Sequence, residues 1–440
     1  MHRSTYQAEL IEDLSRLEHL TAEWDALAVM NAQPLSSPAW MLGWLRHAAP
    51  SGTALRLIAV HDREQLVGIA PFCVDLSSAD GHGSYRLLAD NFAPCVTPLA
   101  LANHEWEVAQ AVAGALAKAE PRPAILSLNR LPVTSPWALA LREGWPGRVR
   151  PVAFRNGLQT VATVLLQPSF EKWFESRSAH FRRNIRRYRR LFDREGGTAR
   201  LSTASTVAAD IQTFVRLHAG RWERRGASRL VALGDRLPVL LGELAGELLS
   251  EDRFRLLVLE VDGEPISAEL SIAAGGEIAG FNMGWDERFR SLAPPRLSLL
   301  HTIEAGFERG EQRFNLGWGE LDFKRAFADC NDAIASHVLV PVERRLPQAL
   351  MRVAPAVANR RLIESAKRTL SADQLGRLQT VRSRLRREGR VGVPPSAPPR
   401  SSPTSSLDAS AVTAPEKVCE PISNGKALIR AHDQRTRSDL

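Results

Sequence analysis

Three stretches of the chain hold residues whose types and spacing could do chemistry. In GFNMGWDERFRSLAPPRLSLLHTIEAGFERG (280–310), an apolar strand over Ile278–Met283 leads into a polar loop. A helix is predicted to begin near Pro295, where proline suits the first turn. A helix start presents unpaired N–H groups and the positive end of the helix dipole. That makes this turn a candidate diphosphate site. Arg296, Leu297 and Ser298 lie in the turn, and Phe281, Met283 and Gly284 lie on the strand before it. In GEQRFNLGWGELDFKRAFAD (310–329), a strand turns at glycine, and Glu320, Asp322, Lys324 and Arg325 follow closely. Strand ends in α/β folds commonly carry reacting groups, although a charged surface loop reads the same way. The third stretch is RSAHFRRNIRRYRR (177–190), half of it arginine.

In that run Phe181, Ile185, Tyr188 and Phe192 fall on one helical face. Arg182, Arg186 and Arg190 form one row on the opposite side, and Arg183, Arg187 and Arg194 form another. A solvated face of a core-packing helix and a site for an anionic ligand both fit this pattern. No DNA-binding framework surrounds it. The charge balance weighs further against nucleic acid. Net charge is +8, but residues 341–440 carry 19 Lys/Arg against 9 Asp/Glu, while residues 1–340 carry 38 against 40. The body is thus slightly acidic and poorly suited to broad phosphate neutralisation. Four cysteines without a CxxC pair, and without a histidine at zinc-ligand spacing, give no reason to expect a disulfide framework or a metal. The first twenty residues lack an apolar signal core, and no apolar run reaches bilayer length. The expected compartment is the cytoplasm, with a peripheral membrane contact left open through the basic tail.

The elements that would position these residues alternate between helix and strand. A helical stretch over Ala22–Ala48 precedes the hairpin LRLIAVHDREQLVGIAPFCV (55–74), and a helix over His104–Glu120 precedes a strand over Pro123–Leu131. FRLLVLEVDGEPISAELSIA (254–273) aligns with 55–74 without a gap at an offset of 199, setting Arg56 on Arg255, Ile58 on Leu257 and Val67 on Ile266. Each hairpin follows a helical stretch and precedes strand, helix and strand. The chain therefore reads as two copies of one α/β unit, 1–150 and 160–343. A basic helical extension is expected over 344–390, and a disordered Pro/Ser/Ala-rich tail over 391–440.

FRRNIRRYRRLFDREGG, HAGRWERRG (218–226), LLVLEVDGEPISAELSI, the 280–310 loop and helix, and RFNLGWGELDFKRAF occur in that order. With them the chain resembles, over residues 20 to 335, the tandem GNAT-type acyltransferases of the CelD-like branch. These carry the BioF2-like acetyltransferase domain and are relatives of the Fem-type peptidyltransferases. Phe323 departs from the family, which often has tyrosine before the lysine, so a hydroxyl acid is missing there. The resemblance implies an α/β (α+β) fold of two GNAT-like domains, each a mixed, mostly antiparallel sheet flanked by helices. It implies transfer of an acyl group from acetyl-CoA or another acyl-CoA, without a metal, to an amine or hydroxyl. The acceptor would be a small molecule or a glycan, with an exopolysaccharide precursor among the candidates. The first copy's DNFAPCVTPLALANHEWE (90–107) lacks a basic, proline-started helix. That copy is expected to be structural or to form one wall of the acceptor cleft.

Direct transfer needs an oriented thioester, a polarised carbonyl and removal of a proton from the nucleophile. Backbone N–H groups of Phe281 to Gly284 are candidates for polarising the carbonyl. Asp286, Glu269 and Asp322 are candidates for the base, and the sequence does not rank them. Glu269 sits in an apolar strand, where an unpaired buried charge is costly, so it is expected to face the cleft. Lys324, Trp318, Arg182 and Arg186 are the candidate acceptor contacts, and His218 and His301 are further acid/base candidates. No Ser-His-Asp or Cys-His arrangement calls for a covalent enzyme intermediate. Two other readings stay open: a Fem-like aminoacyltransferase using aminoacyl-tRNA, and a scaffold whose basic tail binds acidic lipid or a partner.

Overall fold

The computed structural model describes residues 6–76, 83–90, 92–93, 95–223, 228–318 and 322–342, without the side chains of Asn156, Glu223, Trp318 and Asp322. The expected extension and tail (344–390 and 391–440) lie outside the described residues, as do the side chains of the candidates Trp318 and Asp322.

The first half runs β1 (Tyr6–Ile11), α1 (Thr21–Met30), α2 (Pro38–His47), β2 (Thr53–Asp62), β3 (Gln65–Asp75), β4 (Gly83–Leu87), the short β5 (Leu99–Ala100), α3 (Glu105–Leu116), β6 (Pro123–Pro132), α4 (Trp137–Gly144) and β7 (Val152–Leu165). After α5 (Phe170–Ser176) and α6 (Ala179–Arg194), the second half runs β8 (Gly197–Leu201), α7 (Val207–Glu223), α8 (Arg236–Leu248), β9 (Phe254–Val261), β10 (Glu264–Ala274), β11 (Glu277–Trp285), α9 (Pro294–Glu308), β12 (Arg313–Trp318), α10 (Asp322–Arg325) and β13 (Cys330–Val340). The helix expected over 22–48 is two helices. Pro34 opens a 3-10 turn and Pro38 starts α2, because proline has no N–H to continue the preceding ladder. Cys330 is disulfide-bonded, which four scattered cysteines gave no reason to anticipate.

The hairpin repeat extends to the whole topology. The described strands join one mixed, mostly antiparallel sheet in the order β1-β2-β3-β4-β6-β13-β7-β12-β11-β10-β9-β8, with β5 beside β3. Reading inward from either edge gives equivalent strands of the two copies, and β4–β6 and β11–β12 are the parallel pairs. At the centre the copies exchange their last strands. β7, which by strand order closes the first copy and so carries it past the expected bound at 150 to Leu165, pairs with β12, and β13, which ends the second, pairs with β6. β7 and β13 pair with each other from Cys330 opposite Thr163 to Val340 opposite Val152.

Side chains alternate across the strands of the sheet. Ile278 of β11 joins Leu300 and Ile303 of α9 in one core, while Ala279 and Phe281 join Trp40, Trp44, Phe214 and Leu241 in another. The second core ties the first copy to the second. Trp40 is fully buried with its ring edge-on to Phe281 at 4.8 Å, and Arg253 pairs with both carboxylate oxygens of Asp25. The β10–β11 turn is Gly275-Gly276, both at positive φ, as a two-residue hairpin loop prefers. A Cβ on Gly275 would stand 1.9 Å from the carbonyl oxygen of Val29 in α1. Gly275→Ala is therefore expected to destabilise the fold by about 2 kcal/mol or more, since neither the positive φ nor the helix backbone can give way. Thermal unfolding checks this. A midpoint equal to wild type would mean that α1 does not rest on this turn.

Candidate active site

β11 and β12 pair only from Glu277 to Ala279 against Arg313 to Asn315. Beyond that point β11 remains paired with β10 alone as far as Trp285. The two strands part next to a bulge, because Leu270 faces Asn282 and Ser271 faces Gly280, which leaves Phe281 as the extra residue. The separation opens a cavity of about 500 Å³. Phe281, Asn282 and Met283 of β11, Leu316 of β12, Phe323 and Lys324 of α10, Arg221 and Trp222 of α7, and Ala293, Pro295, Arg296 and Leu299 at the start of α9 form its walls. Among the described residues every lining residue belongs to the second copy, and Trp40 of the first copy packs behind Phe281. Gly284 lacks a side chain for a steric reason: a Cβ there would meet the backbone nitrogen of His218 at 2.3 Å.

Glu269 reaches this cavity from β10. Ser267, Glu269 and Ser271 share one face of the strand, beneath Ser298 and Thr302 of α9. Thr302 Oγ1 donates to Glu269 Oε2 at 3.2 Å, and the Ser267 and Ser298 hydroxyls are 3.0 Å apart. Burial pushes the Glu269 carboxyl up to about 8, against the opposing influence of Thr302 and Lys324. Burial likewise brings the Lys324 ammonium down to about 8, with Glu269 pulling the other way. Lys324 Nζ donates to the Leu316 carbonyl at 2.6 Å, which fixes it at the end of β12. A buried acid and a buried amine, both near neutrality, face one apolar space, as proton transfer at neutral pH requires.

The structure brings Glu269, Lys324, Phe281, Met283 and Arg296 together around the cavity and leaves Asp286, Leu297, Ser298, Arg182 and Arg186 outside its lining. Asp286 lies outside it. Its Oδ1 caps the 3-10 turn Glu287–Leu292 by accepting from Arg288 N, and the Arg288 guanidinium on Oδ2 holds the carboxyl below its usual range. Leu297 is a core residue beside Phe192 and Leu292, and Ser298 is fully buried against Ser267, so neither presents a side chain to a ligand. The expected ring of free amides is also missing at the start of α9. Pro294 and Pro295 have no N–H, while Arg296 N and Leu297 N donate to Ala293 O and Ala293 N donates to Arg290 O. Ala293 adopts a left-handed conformation (φ 53°) at the cavity wall, a strained one for a residue with a Cβ. His218 is buried between Met283 O and Ser228 Oγ, and burial holds it below the usual histidine range. His301 is likewise brought down to about 4, first by burial and then by Arg189. Sequence reasoning missed Thr302, whose signal was its i,i+4 spacing from Ser298 opposite Ser267 and Glu269. It also gave no role to Arg221 and Trp222, although HAGRWERRG contains them.

The arginines of 177–190 divide into two sets. Arg177 pairs with Asp329 and donates to the carbonyls of Phe327 and Ala328. Arg189 pairs with Glu304 of α9. Arg182 donates to the carbonyls of Glu175 and Arg177, and Arg186 stacks on Phe174, so both brace α5 and α6 away from the cavity. Arg183, Arg187 and Arg190 are exposed on the outer side. The apolar face is as its spacing predicts, with Phe181, Ile185 and Phe192 buried. α3, the first copy's equivalent of α9, has Glu105 and Glu107 in its first turn, whereas the first turn of α9 has no acidic residue. Only the second copy's helix start is compatible with an anion.

Residues 179–325 match the acetyltransferase (GNAT) domain family. The chain has the fold of FemX, at 12% identity and a TM-score of 0.56 over 79% of this chain and 99% of that one. It is also similar to a conserved protein of unknown function from Bacteroides thetaiotaomicron (8% identity, TM-score 0.49, 76% and 100% covered). A third similar structure is L-PGS from Bacillus licheniformis (13% identity, TM-score 0.45, 79% and 98% covered). No curated protein matches the sequence. Among the described residues, no group of three or more His, Cys, Asp or Glu could hold a metal ion, and no helix is long and apolar enough to cross a membrane.

Glu269 makes stability depend on pH in a definite direction. Its carboxyl ordinarily titrates at 4.5 but is held at about 8 in the native state. Between those values the native protein keeps a proton that the unfolded chain has released, so stability falls as pH rises through that window. Glu269→Gln cannot ionise and escapes the loss. Its melting temperature relative to wild type is expected to climb from pH 5 to pH 8 and to level off above. A difference that stays flat over that range would show that the carboxyl ionises normally.

Proposed function

We propose that this GNAT-type domain transfers an acyl group from an acyl-CoA thioester directly to an amine, with Glu269 as the base that accepts the amine's proton. The supporting observation is the position of Glu269, buried in the wall of the cavity that opens where β11 leaves β12, within the influence of Lys324, in a lining that also includes Arg296. Apolar walls of Phe281, Met283, Leu299, Leu316 and Phe323 suit a pantetheine arm. β11 beyond Gly280, unpaired on the side that β12 has left, offers backbone groups to polarise the thioester carbonyl.

The amine nitrogen attacks the carbonyl carbon and loses its proton to the Glu269 carboxylate. The C–S bond then breaks, its electron pair leaves on sulfur, and the thiolate takes a proton from solvent. A carboxyl poised near neutrality is a stronger base than an exposed one and still ionises at working pH. A hydroxyl acceptor would need a stronger base than this carboxylate, so the buried carboxyl favours an amine. An aminoacyl ester donor would undergo the same attack, and the choice between donors is an outcome of the assay. Glucosamine, polyamines and amino-sugar nucleotides are the first acceptors to screen, with release of the CoA thiol as the readout. Glu269→Gln is expected to lower turnover by roughly 10²–10⁴-fold, the usual contribution of a general base, while CoA affinity by calorimetry stays at the wild-type value. Asp286→Asn is expected to turn over as wild type. Full activity in Glu269→Gln, or its loss in Asp286→Asn, would move the base elsewhere.

A further inference from the structure

A second cavity, of about 260 Å³, lies between the two copies, over the strands they exchange. Its floor is the sheet. Glu277 of β11 stands opposite Arg313 of β12, Ala279 opposite Asn315, and Asp332 of β13 opposite Val161 of β7. The first copy supplies other walls, from the α1–α2 linker Asn31–Leu35 and from Pro132–Thr134 at the end of β6. The catalytic cavity is lined instead by the next residues along the two strands, Gly280 and Leu316.

On this floor one guanidinium serves two carboxylates. Arg313 Nε donates to Glu277 Oε2 at 3.2 Å, and Nη2 reaches past β7 to Asp332 Oδ2 at 2.6 Å. Thr163 Oγ1 of β7 donates to the same Oδ2 at 2.7 Å. Among the described residues nothing donates to the other two oxygens, Glu277 Oε1 and Asp332 Oδ1. The Glu277 and Arg313 side chains are 14% and 12% exposed, so a net negative charge is held largely out of water. Burial pushes the Glu277 carboxyl up to about 7, against the influence of Arg313, so one guanidinium does not compensate both acids. Asn31 spends its amide nitrogen on the Leu27 and Ala100 carbonyls, which leaves its oxygen as a further acceptor in the wall. Ala32 beside it adopts a left-handed conformation (φ 51°), a strain of the kind that functional sites retain.

We infer that this cavity binds a small organic cation, a primary ammonium or a guanidinium, whose N–H groups donate to Glu277 and Asp332. Buried acceptors in folded proteins find donors, and the space is far larger than one water needs and just under the ~300 Å³ at which ligand sites begin. A compact divalent ion would meet the Arg313 guanidinium at close range, whereas N–H donors spread over an organic group reach the outer oxygens without displacing it. Pro34, Leu35, Val133 and Ile334 give the carbon chain an apolar wall. The inference stands apart from the acyl-transfer reading, since it uses neither Glu269 nor Lys324.

The test is calorimetry and thermal unfolding of the full chain with four probes: ethanolamine, agmatine, choline, whose nitrogen carries no N–H, and magnesium chloride. Ethanolamine or agmatine is expected to bind and to raise the unfolding midpoint, while choline and magnesium do neither. Glu277→Gln is expected to weaken that binding by roughly tenfold to a hundredfold, the loss of one charge-assisted contact. Ala333→Phe fills the cavity without touching a charge and is expected to abolish it. Glu64→Gln, in an exposed turn of the first copy, controls for net charge and is expected to bind as wild type. Failure of both amines to bind the wild-type protein overturns the site. So does choline or magnesium binding as tightly as the amines, undiminished amine binding in Glu277→Gln and Ala333→Phe, or equal loss in Glu64→Gln. Amine binding lost in Glu269→Gln but kept in Glu277→Gln would place the amine in the catalytic cavity and overturn the inference while supporting the transferase. Binding lost in Glu277→Gln and kept in Glu269→Gln supports this site whatever the chain transfers.

Discussion

Everything at the candidate site follows from the point where β11 and β12 cease to pair. A parallel pair closed along its full length would put Glu269 in a dry core, where an unpartnered carboxyl is not tolerated. Opening the pair after Ala279 and Asn315 gives that carboxyl a space to face. The sheet can part there because both strands are held on their other edges, β11 by β10 and β12 by β7. The carboxyl then sits between two regimes. Burial raises its titration to about 8, while the hydrogen bond from Thr302 and the charge of Lys324 oppose that rise.

The two copies divide the work unequally. Among the described residues the second supplies the cavity's side chains. The first supplies rigidity: Trp40 presses edge-on against Phe281 at the bulge, α1 lies on the Gly275-Gly276 turn, and Asp25 holds Arg253. Equivalent buried arginines survive in both hairpins. Arg56 donates to the Glu120 carbonyl, and Arg255 pairs with Glu311, so in each copy an arginine ties the hairpin to the segment between helix and next strand. The anion-compatible helix start survives in one copy only, since α3 opens with Glu105 and Glu107.

Much of this was legible in the sequence, for identifiable reasons. The 199-residue offset identified equivalent hairpins because strand registers tolerate no slip: Arg63 and Asp262, equivalent by that offset, both adopt positive φ in their turns. The apolar spacing of 181–192 gave the buried face of α6. The placement of Glu269 in an apolar strand suggested that it faces a cleft, and it lines the cavity, whereas nothing in the sequence showed that Asp286 lies outside that lining. Asp286 caps its own turn, a local bond that competes with any longer-range role. The absence of amides at α9 was open to reading from Pro294-Pro295 alone, yet the preference for proline at helix starts concealed its cost in donors. The exchange of β7 and β13 was not legible, because a final strand carries the same alternating pattern whichever neighbour it pairs with.

That exchange has a consequence for how the gene can change. Removing the first half would strip β6 from beside β13, and removing the second would leave β7 without β12. The first copy, whose equivalent helix opens on Glu105 and Glu107, is tied to the second by strand hydrogen bonds, so neither half can be shed without exposing a strand edge of the other.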